Sequence, residues 1–181
     1  MNEELARRIG VMVSLVERSP GQKLGRTAIM KLLYFLATLR NVRLGYRFSL
    51  YSYGPFDSDV LQDLDYAKSL DAIVSRVIGY PRGYGYEIEP GPLSAAAKDL
   101  NPTFLAEHEA DLAWVIAEFG NLNASDLELA STIVYADREG GSENVQGLAQ
   151  RVRDIKPHFS LPTIQDSIER LAGKGMLESI S

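Results

Sequence analysis

The residue types that usually perform acid–base, metal or nucleophilic chemistry are scarce in this chain. It has 181 residues, no cysteine and two histidines, His108 and His158. Neither histidine has a second one at the helical spacing of a zinc-binding motif, so we interpret both as structural residues. A phosphate-binding loop is also poorly matched, because Gly21 and Gly25 stand one residue too close and Arg26 replaces the lysine. The sequence predicts no catalytic residue, no metal site and no cofactor.

A third candidate for chemistry is the tripeptide Asp154-Ile155-Lys156, which is similar to the end of a nuclease motif. The upstream Pro-Asp pair of such a motif is missing, and Lys156 precedes a proline. Because cations are favourable at the carboxyl end of a helix, we interpret Lys156 as an ordinary helix-end charge. We therefore expect a protein that is not an enzyme.

Tyrosines are the more informative side chains. The chain has nine. Six of them form two clusters, one before Gly54 and one in a later segment: Tyr46, Tyr51, Tyr53, Tyr80, Tyr84 and Tyr86. Tyrosine supplies rigid, amphipathic contact area and is enriched in protein interfaces, but it is also favoured in strands, where its ring covers the core and its hydroxyl meets water. Both interpretations stay open at this point.

The elements that position these residues begin with two helices. Apolar residues recur at helical spacing from Leu5 to Val16, and Pro20-Gly21 ends that helix. We expect Thr27 to cap a second helix, which is apolar on nearly every side from Ile29 to Leu39 and must therefore be central. The period then changes to two between Tyr46 and Tyr51, which predicts a half-buried strand ended by Gly54-Pro55.

A helix and a hairpin complete the first half. Asp57 or Ser58 is suited to cap a helix that runs to about Leu70. The apolar segments 73–78 and 84–88 then flank a five-residue link and predict a β-hairpin. Helices followed by a hairpin are typical of a winged-helix arrangement. Pro90-Gly91-Pro92 is the best candidate for an internal boundary.

The second half is predicted to be helical. Ser125 and Glu128 have the spacing of a capping box, and Ser160 is placed to cap the last helix. The predicted fold is thus mainly α with a small antiparallel sheet. A winged-helix-like N-terminal half, residues 1–92, packs with a C-terminal helical bundle, residues 93–181, that ends in a helix-turn-helix-like unit, and we expect the two halves to form one compact unit.

Charge is distributed unevenly along the chain. Residues 1–56 contain nine Lys/Arg and three Asp/Glu, residues 57–146 contain five and seventeen, and the net charge is -5. A basic start could face phosphate, but it could also pair with the acidic middle of its own chain or of a second copy, and we favour that explanation. It makes a homodimer a candidate assembly. No apolar run approaches the ~20 residues of a membrane span, so we expect a cytoplasmic protein.

Two paired motifs carry a family resemblance. Lys31-Leu-Leu-Tyr34-Phe-Leu-Ala is followed by Tyr51-Ser-Tyr53-Gly54-Pro55-Phe56, and segment 129–136 by segment 155–160. From about Leu24 to Leu177, this pattern resembles the prokaryotic group that includes the SocA-like, or Panacea, antitoxin domain and the related YwgA-like uncharacterised proteins. The Phe56-Asp57-Ser58 sequence after Tyr-Gly-Pro is closer to the YwgA-like branch.

The resemblance implies a helical domain with a small sheet that binds another protein. Antitoxin members of the group neutralise toxin proteins, and one delivers its toxin to a protease as an adaptor. By this resemblance we expect a non-enzymatic protein-binding module whose partner is a toxin encoded nearby. The candidate partner-binding residues are Lys31, Tyr34, Tyr51, Tyr53, Gly54, Pro55 and Asp57.

A winged-helix DNA-binding transcriptional regulator is the alternative. The basic start and segment 159–177, which resembles the last helix and the beginning of a wing, favour it. The outward side chains of that last helix are acidic on balance, whereas a DNA reader needs cations on phosphate. We therefore favour a protein partner over nucleic acid.

Overall fold

The computed structural model describes residues 1–142 and 144–180. In this part of the chain the structure is mainly α-helical with a small amount of antiparallel β-structure, as the sequence predicts. The elements in chain order are α1 (Glu3–Arg18), β1 (Leu24–Gly25), α2 (Arg26–Leu39), β2 (Ser49–Tyr51), β3 (Gly54–Phe56), α3 (Ser58–Ser69), β4 (Ile73–Tyr80), β5 (Gly83–Pro90), α4 (Ser94–Lys98), α5 (Pro102–Glu107), α6 (Glu109–Phe119), α7 (Ala124–Arg138), α8 (Val145–Ile155) and α9 (Leu161–Gly173).

The chain divides into two compact units. Unit 1 contains Met1–Ser49 and Phe56–Asn123, and unit 2 contains Leu50–Pro55 and Ala124–Ser181. The hairpin of β2 and β3 is where the chain leaves unit 1 and returns to it. Unit 2 is therefore built from two separate stretches of sequence.

Unit 1 has the order of helices followed by a hairpin that the sequence predicts for a winged-helix-like half. Its three-stranded sheet has the order β1-β5-β4, and all neighbours are antiparallel. β1 pairs with the base of β5, where Leu24 lies opposite Ile88. β4 and β5 pair along their whole length, with Val77 opposite Tyr86. The predicted hairpin is confirmed and extends further than the sequence indicates.

Helix α2 is the centre of unit 1, as its all-round apolar sequence predicts. Its residues 29–36 are buried, and Phe35 stacks on Phe119 of α6 with ring centroids 3.9 Å apart. Burial of a large apolar side chain contributes roughly 1.5–3 kcal/mol, so α2 is a major source of stability. The helix begins at Arg26, and Gly25 occupies the cap position, so the prediction of Thr27 as the cap is wrong.

The strand predicted from Tyr46 is shorter than expected, since β2 begins at Ser49. Tyr46 instead lies in an irregular segment, and its hydroxyl donates a 2.7 Å hydrogen bond to Oδ2 of Asp63 on α3. The Tyr46 side chain is therefore held by a side-chain hydrogen bond, and the backbone at Tyr46 does not pair with another strand. Of the two residues predicted as possible caps of α3, Asp57 is the cap, because its carboxylate accepts a hydrogen bond from the Asp59 N–H at 2.9 Å.

The Pro90-Gly91-Pro92 segment, where the sequence places a boundary, lies inside unit 1. The Gly91 N–H donates to the Ala72 carbonyl and the Leu93 N–H to the Asp71 carbonyl, both at 2.9 Å. A Cβ atom on Gly91 would lie 2.2 Å from the Asp71 carbonyl oxygen, so only glycine fits there. The segment is a tight turn after β5, and the chain passes from unit 1 to unit 2 after Ser49 and again after Asn123.

Unit 2 packs α7, α8 and α9 around buried aliphatic side chains such as Ile133, Leu148 and Ile168. Ser160 caps α9, as predicted, by accepting a hydrogen bond from the Thr163 N–H at 3.2 Å. The capping box predicted at Ser125 and Glu128 is wrong, because α7 already begins at Ala124. Ser125 therefore lies inside the helix.

A buried carboxylate ties the C-terminal segment of unit 2 to α7. The Asp137 side chain is fully buried and accepts hydrogen bonds from the Glu178 N–H at 2.8 Å, the Ser179 N–H at 3.0 Å and the Ser179 hydroxyl. The Arg138 guanidinium lies 2.7 Å from the same carboxylate. This one side chain therefore holds residues 178 and 179 in place.

None of the helices in the described part of the chain combines the length and the apolar character that a membrane span requires.

Candidate functional site

The hairpin of β2 and β3 presents two tyrosines to solvent. Tyr51 and Tyr53 are 63% and 72% exposed, among the most exposed large hydrophobic side chains of the described residues. The backbone turns back at Gly54, whose φ of 92° is strained for any residue with a Cβ atom. Gly54 and Pro55 themselves are buried. The Tyr-Gly-Pro sequence thus forms a backbone bend that leaves the preceding aromatic rings outside.

A buried lysine holds this hairpin from within unit 2. Nζ of Lys156 donates a hydrogen bond to the Ser52 carbonyl oxygen, at the turn between the two tyrosines. The same ammonium forms an ion pair with Glu128 of α7, with Nζ 2.8 Å from Oε1. The side chains of Lys156 and Glu128 are only 4% and 11% exposed. The hairpin is therefore connected to α7 through an ion pair that is largely shielded from solvent.

Lys156 does lie at the end of α8, as the sequence predicts, but its ammonium is buried and paired rather than a solvated helix-end charge. α8 ends at Ile155, and Lys156 follows with φ -127° and ψ 71°, outside the helical region. This change of backbone direction turns the side chain inward, where it meets Glu128 and Ser52. A sequence pattern alone does not reveal the inward turn, although the following Pro157 does indicate that the helix must end here.

His158 lies beside this pair and approaches the same carboxylate oxygen as Lys156. Its ring is 58% exposed, its centroid lies 4.3 Å from that of Phe159, and Nε2 is 3.6 Å from Oε1 of Glu128. His108 contacts Asp111 through Nδ1 at 2.8 Å and packs against the Phe104 ring. Within residues 1–142 and 144–180 no group of three His, Cys, Asp or Glu side chains is arranged to hold a metal ion.

Three other candidate residues lie in unit 1 and are less accessible. Lys31 and Tyr34 are 2% and 3% exposed, and the Tyr34 ring meets Phe48 edge-on with centroids 5.3 Å apart. Asp57 is half-buried and also accepts a hydrogen bond from the Arg47 N–H at 2.5 Å. A partner cannot contact the buried side chains of Lys31 and Tyr34 directly. These two residues can affect partner binding only by supporting the structure around them.

The second tyrosine cluster belongs to the hairpin of β4 and β5. Tyr80 and Tyr84 are 60% and 71% exposed, and Val77 is 66% exposed. Tyr86 is half-buried, and the Arg26 guanidinium carbon lies 3.7 Å from its ring centroid, a cation–π contact. The two interpretations of the tyrosines therefore both apply: some rings cover the fold, while Tyr51, Tyr53, Tyr80 and Tyr84 extend into solvent.

Sequence reasoning missed a charged cluster under α1. Arg8 lies over the Tyr46 ring at 4.3 Å, and its Nη1 is 3.5 Å from Oδ2 of Asp63. Burial raises the pKa of the Asp63 carboxyl, although the Tyr46 hydroxyl and Arg8 oppose the shift. Burial, followed by the Asp63 charge, raises the pKa of the Tyr46 hydroxyl. These three residues contact one another although they are far apart in sequence, and no local sequence signal connects them.

Most cations of the basic start are paired inside unit 1. Arg18 contacts Glu109 at 2.6 Å, Lys23 contacts Glu87 at 2.8 Å, Arg26 contacts Asp65 at 3.2 Å and Arg40 contacts Asp111 at 2.7 Å. The expectation that the basic start pairs with the acidic middle of the same chain is confirmed at these four residues.

The hairpin of β2 and β3 thus exposes two tyrosine rings on a turn that Lys156 holds in position. Exposed tyrosine rings can bury against a partner, and each hydroxyl can donate or accept a hydrogen bond there. A comparison of the chain with protein-family models finds none that matches, and a comparison with curated proteins finds no match either.

Proposed function

We propose that this chain is a non-enzymatic protein-binding module of antitoxin or adaptor type, acting in the cytoplasm, and that the hairpin of β2 and β3 is its principal contact element. One observation carries the proposal. Tyr51 and Tyr53 are exposed on a hairpin whose turn is held by the buried Lys156. Exposed aromatic rings on a loop that the fold holds in position are typical of surfaces that bind another protein.

The physical advantage of such a hairpin is preorganisation. Binding costs free energy when loops and side chains lose freedom, and a hairpin that is already anchored loses little. Tyrosine adds to this advantage because it offers a large contact area with only two rotatable side-chain bonds. The support by Lys156 and Glu128 therefore favours a surface that keeps one shape before and after it meets a partner.

The family resemblance supports the same element. Tyr53, Gly54 and Pro55, which carry the resemblance to the SocA-like and YwgA-like group, are the residues that form the hairpin bend. Since antitoxin members of that group bind toxin proteins, the product of an adjacent open reading frame is the first partner to test.

The test is co-expression of the chain with that neighbouring product and co-purification of the two. We expect a stoichiometric complex, and we expect the variant Tyr51→Ser/Tyr53→Ser to lose it, because truncating a central interface tyrosine costs about 2 kcal/mol or more, roughly 30-fold in Kd for each. Tyr66→Ser on α3 is the matched control, since Tyr66 is 37% exposed and lies outside the hairpin. Equal loss with the control, or repeated failure to recover any partner, would count against the proposal.

The winged-helix regulator remains the alternative, and the helix and strand order of unit 1 favours it. Charge argues against it. α3 precedes the hairpin, where a winged helix carries its reading helix, and it contains Asp59, Asp63 and Asp65 but only one cation, Lys68. Lys23 and Arg26 at the start of the chain are already paired with carboxylates.

A fluorescence anisotropy titration against random duplex separates the two functions. A protein that contacts six to ten phosphates loses roughly 10³–10⁵ in affinity between 50 and 200 mM salt. We expect no salt-sensitive binding even at low ionic strength. Binding that weakens steeply as salt is added would make the regulator the better proposal.

A further inference from the structure

Strand β4 has one open edge. In the sheet order β1-β5-β4 it pairs with β5 on one side, and no strand in the described part of the chain pairs with the other side. The strand is eight residues long and contains no proline. An edge of this length presents a row of backbone N–H and C=O groups that another strand can use, and proteins usually protect such edges with charge, proline or a covering element.

The side chains along this edge do not protect it. Val77 and Tyr80 are 66% and 60% exposed, and the adjacent Gly79 has no side chain. The strand carries a single charged residue, Arg76, whose guanidinium lies 3.3 Å from Oε2 of Glu89 on the neighbouring strand β5. Its charge is therefore partly neutralised within the hairpin, and the edge offers apolar surface beside free backbone groups.

We propose that β4 pairs with β4 of a second copy of this chain, antiparallel and with Val77 on the twofold axis. In this register each Arg76 lies opposite Ile78 of the second copy, and each Tyr80 lies opposite Val74. Seven consecutive residues, 74–80, pair within the strand. Two three-stranded sheets become one continuous six-stranded sheet, and the exposed Val77 side chains cover each other.

The sequence of β4 favours a second copy over an unrelated strand. An antiparallel homodimer tolerates only registers in which a residue does not meet a like charge. A shift that centres Arg76 brings two guanidinium groups face to face, whereas a shift that centres Ile78 leaves only residues 76–80 paired within the strand. The register centred on Val77 avoids both problems, so the strand is complementary to itself.

Charge distinguishes this dimer from the one that the uneven sequence charge suggests. Each copy carries a net charge of -5, so two copies repel each other at low salt, and screening relieves that repulsion. A dimer through β4 is therefore preserved or strengthened as salt is added. A dimer that joined basic and acidic segments of two copies would weaken instead.

The experiment is sedimentation velocity over a wide range of protein concentration, at low and at high salt. We expect a concentration-dependent dimer that persists at high salt. Val77→Lys places two ammonium groups opposite each other and should raise the dimer Kd on the order of tenfold or more. Tyr84→Lys is the matched control, because it adds the same charge to an exposed residue of β5, one strand away from the proposed pairing.

A monomer at every concentration would overturn the inference, as would a dimer that Val77→Lys leaves intact or that salt dissolves. Because Val77 is exposed, its replacement should leave the fold unchanged, which circular dichroism checks. Amide hydrogen exchange gives a second measurement: the β4 amides should become protected as concentration rises. Tyr51→Ser/Tyr53→Ser should leave the dimer unchanged, so a failure here and a failure of the proposed partner binding can be told apart.

Discussion

The variant Lys156→Met is expected to lose about 3–5 kcal/mol of unfolding free energy, because it leaves the Glu128 carboxylate buried without its ion-pair partner. Methionine keeps a similar length and apolar stem, so lost packing is a small part of the effect. The Ser52 carbonyl oxygen also loses the hydrogen bond that holds the hairpin turn. Chemical denaturation followed by far-UV circular dichroism measures the loss.

The double variant Lys156→Met/Glu128→Gln is the control for this prediction. Removing both charges removes the desolvation cost of the unpaired carboxylate, so the double variant should be more stable than Lys156→Met alone. Hydrogen exchange at residues 51–54 should still increase in both variants, because neither retains a donor for Ser52. A Lys156→Met protein with unchanged stability and an unchanged hairpin would contradict the assigned role.

The variant Asp137→Asn is expected to destabilise unit 2 by about 2–4 kcal/mol, because charge-assisted hydrogen bonds to a buried carboxylate contribute about 1.5–3 kcal/mol each and an amide cannot replace all of them. The donors are the Glu178 and Ser179 N–H groups and the Ser179 hydroxyl. Asp166→Asn on α9 is the control: Asp166 is exposed, and the change there should stay within about 0.5 kcal/mol.

The same carboxylate predicts a dependence of stability on pH. Burial alone would raise the pKa of Asp137, but the hydrogen bonds from Ser179 and Glu178 and the Arg138 charge outweigh it and hold that pKa below the ordinary value of 3.8. The group binds its proton more weakly in the folded protein, so its stabilisation is complete above pH 3.8 and is lost as pH falls through the lower folded value. Asp137→Asn should remove this part of the acid sensitivity, and denaturation midpoints between neutral and acidic pH measure it.

Much of the fold follows from short-range patterns in the sequence. The all-round apolar segment 29–39 indicates a buried central helix, and the structure places it there. The hairpin of β4 and β5 and the Asp57 cap also follow from local rules about turns and helix ends. These features depend on residues that are neighbours in sequence, so a pattern contains enough information to predict them.

The contacts that hold the hairpin of β2 and β3 could not be predicted from local sequence patterns. Lys156 and Glu128 each have an ordinary local explanation, a helix-end charge and a capping box. The capping box is wrong because α7 already begins at Ala124, and Lys156 lies at the end of α8 but forms a buried ion pair with Glu128 that no local pattern indicates. Sequence periodicity also places Tyr46 in a strand, whereas in the structure β2 begins at Ser49 and the Tyr46 hydroxyl donates a hydrogen bond to Asp63. Contacts between residues far apart in sequence override local preference, and a single sequence does not reveal them.

The distance along the chain between Ser52 and Lys156 has a consequence for synthesis. The hairpin turn and the lysine that holds it are separated by 104 positions. At 5–20 residues per second a ribosome adds that stretch in roughly 5–20 s. During this interval the nascent hairpin lacks the lysine that holds its turn, so the turn can reach its final conformation only late in synthesis.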